Sequence, residues 1–251
     1  MHIISIALVQ TDLIWKDKKN NLINIEQRIS KMHENVDIIV LPELFNTAFC
    51  IDDLSLAENE NSETVAWMKQ ISNQKKCAIC GSILIKENGK VYNRFLFIEN
   101  NEIKYRYNKH QLFSLVNEDK YLEKGNEKIL IDFKGWKIQP FICYDLRFPT
   151  WCQNTENTDV QIYIASWPKK RIHHWTTLLQ ARAIENQCYT IGVNRIGFDF
   201  YNNEHNGNSV VYDFKGDLIL NMNDKNGIDV VTLSIKNLNE HKTRYPFWKD
   251  R

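Results

Sequence analysis

Ile138-Gln139-Pro140-Phe141-Ile142-Cys143-Tyr144-Asp145-Leu146-Arg147-Phe148-Pro149 is an apolar run that stops abruptly at a thiol and gives way to polar, turn-forming residues. A buried strand of an α/β protein presents a nucleophile at such a tip, because the turn exposes the side chain and leaves backbone N–H groups beside it. Taken alone, the stretch reads equally well as a strand ending on a core cysteine, since free cysteines are often plain core residues. Two other segments, each ending a strand-like run near a charged side chain, bear on that choice.

Working outward, the pattern alternates strands with helices. It predicts a strand over 3–10, a helix over 21–32 with apolar residues at 22, 25, 29 and 32, a buried strand over 36–41 and a helix over 62–74. A hairpin-rich block follows, 77–85 and 91–98 turning at Asn88-Gly89, then a strand over 103–107. Buried strands over 138–142 and 160–165 precede a helix over 173–186 and a strand over 188–194. Strands over 209–214, 218–222 and 230–235 close the series, separated by Lys215-Gly216 and Asn226-Gly227. Residues 236–251 read as a polar tail carrying Tyr245, Phe247 and Trp248, either tucked onto the domain or used on a partner subunit. Without a linker, repeat or low-complexity tract, the expectation is one α/β domain over 1–251, with two sheets packed together and helices outside.

The 251 residues, 43% hydrophobic, suffice for one large buried core. A net charge of +1 with no basic stripe argues against nucleic acid or an anionic membrane as partner. No apolar run approaches the roughly 18 residues needed to span a bilayer. Met1-His2 leads straight into a strand-like segment, so the expectation is a cytoplasmic, unsecreted chain. The six cysteines (Cys50, Cys77, Cys80, Cys143, Cys152, Cys188) fit reduced thiols. Cys77-Ala78-Ile79-Cys80 has the spacing of half a zinc site or a redox pair. In a strand, however, the two side chains face opposite sides and cannot share a metal.

Val40-Leu41-Pro42-Glu43-Leu44-Phe45 puts Glu43 just past a buried strand. Partial desolvation there would raise a carboxylate's pKa and make it a usable base near neutral pH. Tyr105-Arg106-Tyr107-Asn108-Lys109 puts an ammonium past another strand, suited to stabilising charge on a substrate oxygen. Each residue alone is equally a solvated loop charge. In the polar loop that follows, Glu118 is not distinguishable from Asp119 or Glu123 on physical grounds. If the three strands are parallel neighbours, their carboxyl ends converge on one crevice holding a base, an oxyanion stabiliser and a nucleophile.

Leu41-Pro42-Glu43-Leu44-Phe45, Tyr107-Asn108-Lys109-His110-Gln111-Leu112-Phe113 and Ile142-Cys143-Tyr144-Asp145-Leu146-Arg147-Phe148-Pro149 resemble, in order, the three catalytic segments of the nitrilase superfamily, the carbon–nitrogen hydrolases. The resemblance covers essentially the whole chain. Glu118, with Leu122 and Gly125 at the expected offsets, is similar to the second glutamate of many members. Ala165-Ser166-Trp167-Pro168, and Leu179 to Asn186 followed by Val193-Asn194-Arg195, look like the branch containing ω-amidases. Ser166 departs from the Asn that many amidase members carry, which bears on the pocket rather than the chemistry.

The resemblance implies a four-layer α-β-β-α sandwich, a homodimer, a small-molecule amide substrate, and neither metal nor cofactor. It further implies Glu43, Lys109 and Cys143 as catalytic residues with Glu118 in support, and an oxyanion contact from the Tyr144 N–H. The implied activity is hydrolysis of the terminal amide of 2-oxoglutaramate or 2-oxosuccinamate, through a cysteine thioester, to acid and ammonia. Arg147, four residues after the thiol, fits a bidentate clamp for a substrate carboxylate, or else an ion pair with Asp145 or Glu185. Phe45, Phe113 and Trp167 fit the walls of a small apolar pocket, or plain core. Within the family, N-carbamoyl amidase, aliphatic amidase or nitrilase chemistry is the alternative, and a catalytically silent binding protein on the same fold is another. A cysteine–histidine hydrolase would need His110, His173 or His174 on Cys143.

Overall fold

The computed structural model describes residues 2–250. The chain begins with β1 (Ile3–Gln10), α1 (Lys18–Ser30), β2 (Ile38–Val40), α2 (Glu63–Lys75), β3 (Ala78–Glu87), β4 (Lys90–Glu99) and β5 (Glu102–Asn108). It continues through α3 (Glu118–Tyr121), β6 (Ile131–Phe133), β7 (Trp136–Ile142), α4 (Pro149–Cys152), β8 (Val160–Ala165), α5 (Ile172–Asn186) and β9 (Tyr189–Asn194). The remainder is β10 (Ile196–Phe198), β11 (Glu204–Asn206), β12 (Val210–Tyr212), β13 (Leu218–Asn221), β14 (Gly227–Ser234) and α6 (Ile235–Arg244).

Two six-stranded sheets result, ordered β14-β1-β2-β3-β4-β5 and β13-β12-β9-β8-β7-β6, with β10-β11 as a separate hairpin. Each has three parallel strands at its centre, β1-β2-β3 and β7-β8-β9, flanked by antiparallel strands. Strand alternation divides β1 between two environments. Ile4, Ile6 and Leu8 enter the core between the sheets, where Ile142, Ile162 and Ile164 also lie. Ala7 and Val9 face the other way, against Leu22, Ile25 and Ile29 of α1 and Met68 and Ile71 of α2. On the far side Trp175, Leu179 and Ala183 seat α5 on the second sheet. The layers are therefore α-β-β-α, as the resemblance implied.

Local chemistry explains the helix limits. Asp17 caps α1 by accepting from Asn20 N, and Ser62 caps α2 by accepting from Val65 N. Lys76 closes α2 in the left-handed region at φ 54°. Cys80 sits in the core between the sheets and Cys77 in the core beneath the helices, so the two thiols occupy opposite faces. A shared metal or disulfide between them is geometrically excluded.

Several features differ from the sequence expectation, among them the β10-β11 hairpin and the short helices α3 and α4. Residues 131–133 form β6, which folds back on β7 through Lys134 (φ 52°) and Gly135 (φ 80°). A Lys-Gly turn lacks the usual Asn-Gly signal. Much of the polar tail is also helical. Ser234 caps α6, Leu238 is its one buried apolar side chain, and Lys242 Nζ donates to Thr158 O at 3.2 Å. Beyond it the chain folds back on Gln187, whose Nε2 donates to Tyr245 O at 2.8 Å and whose Oε1 accepts from Trp248 N at 3.2 Å.

Gly192 on β9 lets Leu179 and Trp175 of α5 pack directly over the strand. A Cβ there would lie 2.4 Å from Leu179 Cδ1 and 2.7 Å from Trp175 Cζ2. Gly192→Ala is expected to destabilise the protein by about 1–3 kcal/mol, seen as a lower urea midpoint at unchanged slope.

Candidate active site

Glu43 and Lys109 follow β2 and β5 of the first sheet, whereas Cys143 follows β7 of the second. The three strands are thus not parallel neighbours, the condition under which the sequence alone would bring their ends together. The β3-β4-β5 meander returns β5 in the direction of β2 with two strands between them. Packing of one sheet on the other then brings the third group in.

Three charged side chains meet with no exposed surface. Lys109 Nζ donates to Glu43 Oε1 at 2.9 Å and to both oxygens of Glu118, each at 2.9 Å. Glu43 Oε1 also accepts from Asn93 Nδ2 at 2.8 Å, and Oε2 accepts from the backbone N–H of Ser166 at 2.9 Å. The Ser166 contact ties Glu43 to the loop after β8, across the sheet interface. Glu118 opens α3 and accepts from Phe113 N at 2.7 Å, fixing the loop between them. Asp119 is exposed and Glu123 only partly buried, which separates the three carboxylates that the sequence left equivalent. Lys109 itself is held through its backbone: its N–H donates to Asn93 O at 2.9 Å and its carbonyl accepts from Gly125 N at 2.8 Å.

Burial by itself pulls the Lys109 ammonium down, but Glu118 and Glu43 outweigh it and hold the group above its ordinary value. Burial raises Glu118, with Lys109 opposing. The Cys143 thiol is pushed well above its ordinary range by burial and by the neighbouring Glu43 carboxylate. A thiol in this setting rests protonated and needs a base to become a nucleophile. Its φ of 45° holds a non-glycine residue in the left-handed region at the sharp turn from β7 into a 3-10 turn over Cys143–Arg147.

Cys143 and Lys109 line a cavity of about 210 Å³. Phe113, Trp167 and Tyr144 contribute to its walls, as does Phe49, which the sequence reading missed. Phe45 does not line it: the ring is buried beneath the helices, 5.9 Å from Trp67. The strand end turns that side chain to the opposite face from Glu43's carboxylate. Arg147 reaches the cavity, its guanidinium 4.9 Å from the Trp167 ring centre and Nη2 3.0 Å from His174 Nδ1. It pairs with neither proposed acid. Asp145 is taken by Tyr107, Ile142 and Gln111, and Glu185 by Arg182 at 2.7 Å. Lys170 and Arg171 add two further cations to the lining, and Arg171 lies 5.5 Å from the Phe113 ring centre. The run Lys169-Lys170-Arg171 directly after Trp167-Pro168 was the available signal.

His110 stacks on Trp151 with ring centres 3.5 Å apart and its Nδ1 at Gly125 O, which occupies it away from the thiol. His205 does line the cavity, and burial lowers it to about 4, so it is neutral near pH 7. The groups acting electrostatically on Cys143 are Glu43, Lys109 and Glu118, with no histidine among them.

The carbon-nitrogen hydrolase profile matches residues 5–243. The chain belongs to the carbon-nitrogen hydrolase family. It is 35% identical over 253 residues to the omega-amidase YafV of Yersinia enterocolitica, covering 100% of this chain and 97% of that one. It is 31% identical to the 2-oxoglutaramate amidase of Bacillus subtilis, covering 98% of this chain and 96% of that one. A crystal structure of a CN-hydrolase superfamily protein from Xanthomonas campestris, with an arsenic adduct in its active site, superposes with a TM-score of 0.97 at 34% identity, covering 100% of this chain and 98% of that one.

Removing the cation from this hydrolase's buried triad leaves two uncompensated carboxylates. Lys109→Met is expected to lower the unfolding free energy by about 3–5 kcal/mol in urea titrations. Adding Glu118→Gln to that variant is expected to recover part of the loss.

Proposed function

We propose that this chain is a thiol amidohydrolase that cleaves the terminal amide of small 2-oxo dicarboxylic acid monoamides, such as 2-oxoglutaramate and 2-oxosuccinamate, releasing ammonia. The observation that carries the reading is the Cys143 thiol and the buried Lys109 ammonium at one cavity whose lining also holds Arg147 with no carboxylate partner among the described residues. Two of the relatives described above are named omega-amidase and 2-oxoglutaramate amidase, which supports this reading.

In this mechanism Glu43 removes the Cys143 proton, and the sulfur attacks the amide carbon. The tetrahedral oxyanion is held by Lys109 Nζ and the Tyr144 N–H; losing one such donor typically costs about 10²–10³ in rate. Protonated Glu43 returns its proton to the leaving nitrogen, which departs as ammonia and leaves a thioester on Cys143. Glu43 then takes a proton from water, the hydroxide attacks the thioester, and the acid leaves as the thiol is regenerated. Glu118, with both carboxylate oxygens 2.9 Å from the Lys109 ammonium, orients that group rather than attacking substrate. Arg147 receives the substrate's carboxylate, with Trp167 and Phe113 as apolar walls.

The same reading takes residues 1–251 as one domain and the protein as a cytoplasmic homodimer. Six free cysteines suit a reducing compartment. Exposed Leu218, Phe247 and Trp248 are apolar surface suited to a second subunit.

Ammonia release from 2-oxoglutaramate and 2-oxosuccinamate by wild type, lost in Cys143→Ala, is the expected result. No release by wild type, with activity instead on a nitrile or an N-carbamoyl amino acid, would overturn the substrate assignment. For the clamp, Arg147→Gln is expected to raise KM about tenfold or more while changing kcat much less, the pattern of lost uniform binding.

A further inference from the structure

Asp145 is a fully buried carboxylate that the reaction above does not use. Its Oδ2 accepts from the Ile142 N–H at 2.9 Å and from the Tyr107 hydroxyl at 2.7 Å, and its Oδ1 accepts from the Gln111 N–H at 2.7 Å. The Tyr107 oxygen accepts in turn from Trp151 Nε1 at 2.9 Å, so the hydroxyl proton is directed at Asp145. All three contacts thus use Asp145 as an acceptor, the role a carboxylate fills and an amide fills with only one of its two heads.

The partners lie at two places that matter to the chemistry. Ile142 is the last residue of β7 and immediately precedes Cys143, whose φ of 45° must be held against its own strain. Tyr107 and Gln111 bracket Lys109, two residues to either side. β5 and β7 belong to different sheets, so no strand ladder sets the offset between Lys109 and Cys143. One side chain grips both backbones.

We propose that Asp145 is a positioning residue that sets the Lys109 ammonium and the Cys143 thiol, carried by two different sheets, at their working separation. The inference rests on the thiol-hydrolase reading of Cys143 and not on which amide is the substrate. It predicts that loosening the grip slows chemistry at the thiol while leaving substrate affinity nearly intact.

The test compares wild type, Asp145→Asn and Tyr107→Phe. The first keeps the side chain's size but turns an N–H donor toward donors, and the second removes one of the three contacts. Two rates are read on folded protein: kcat and KM on 2-oxoglutaramate, and alkylation of Cys143 by iodoacetamide followed by mass spectrometry, which needs no amide substrate. Because misplacement by about 1 Å costs on the order of 10²-fold, Asp145→Asn is expected to lower kcat by about 10–10²-fold. KM should stay within about twofold, the signature of an interaction expressed in the transition state. Alkylation should slow in parallel, and Tyr107→Phe should show a smaller loss in the same direction.

A purely structural role would lower the melting temperature while leaving both rates of the folded protein unchanged, and that result overturns the proposal. A raised KM with kcat preserved overturns it too. Should Asp145→Asn fail to fold, Tyr107→Phe decides: a several-fold loss of kcat at unchanged KM supports the proposal, and wild-type kcat contradicts it. If wild type hydrolyses no oxo-amide, the substrate reading fails and the alkylation comparison still decides this one.

Discussion

The Lys109 ammonium, buried between Glu43 and Glu118, is the interaction on which the rest of the site depends. Two carboxylates and one cation without exposure are tolerable only because each remaining oxygen finds a donor, from Asn93, Ser166 and Phe113. Those donors come from β4, the loop after β8 and the loop before α3. Charge satisfaction therefore fixes the relative position of segments far apart in sequence. Burial, reinforced by the Glu43 carboxylate and opposed by the Lys109 ammonium, pushes the nearby Cys143 thiol up, so it needs a base to become a nucleophile.

The sandwich supplies the second constraint. Strand alternation sends Ile4, Ile6 and Leu8 into the space between the sheets and Ala7 and Val9 toward the helices. That packing sets the ends of β2 and β5 opposite the end of β7. The cavity combines aromatic walls with the cations Lys109, Arg147, Lys170 and Arg171 and the Asp199 carboxylate. A small amide bearing a carboxylate suits a lining in which cations outnumber carboxylates.

Much of this was legible in the sequence because it is local. The β-branched runs of β2 and β8, the periodicity of α1 and the motif residues Glu43, Lys109 and Cys143 all announce themselves within a few positions. What was not legible depends on the sheet-on-sheet arrangement. The sequence brings the three strand ends together only on the condition that they are parallel neighbours, and no local pattern reports that they meet across an interface. Phe45 could not be separated from Phe113, because which face a residue takes after Pro42 is decided by the turn. Glu118 and Asp119 differ only in that the first turn of α3 points one inward and the other out. The helix α6 was hidden because a single buried leucine, Leu238, gives too little apolar periodicity.

The central claim is that Cys143 becomes the acyl carrier. The direct measurement is acid quenching of the enzyme during turnover of 2-oxoglutaramate, followed by peptide mass spectrometry. The account predicts an acyl group on the peptide containing Cys143, removable by hydroxylamine and absent from the peptides holding the other five cysteines. Turnover with no acyl adduct on Cys143 at any quench time, together with activity surviving in Cys143→Ala, would contradict it.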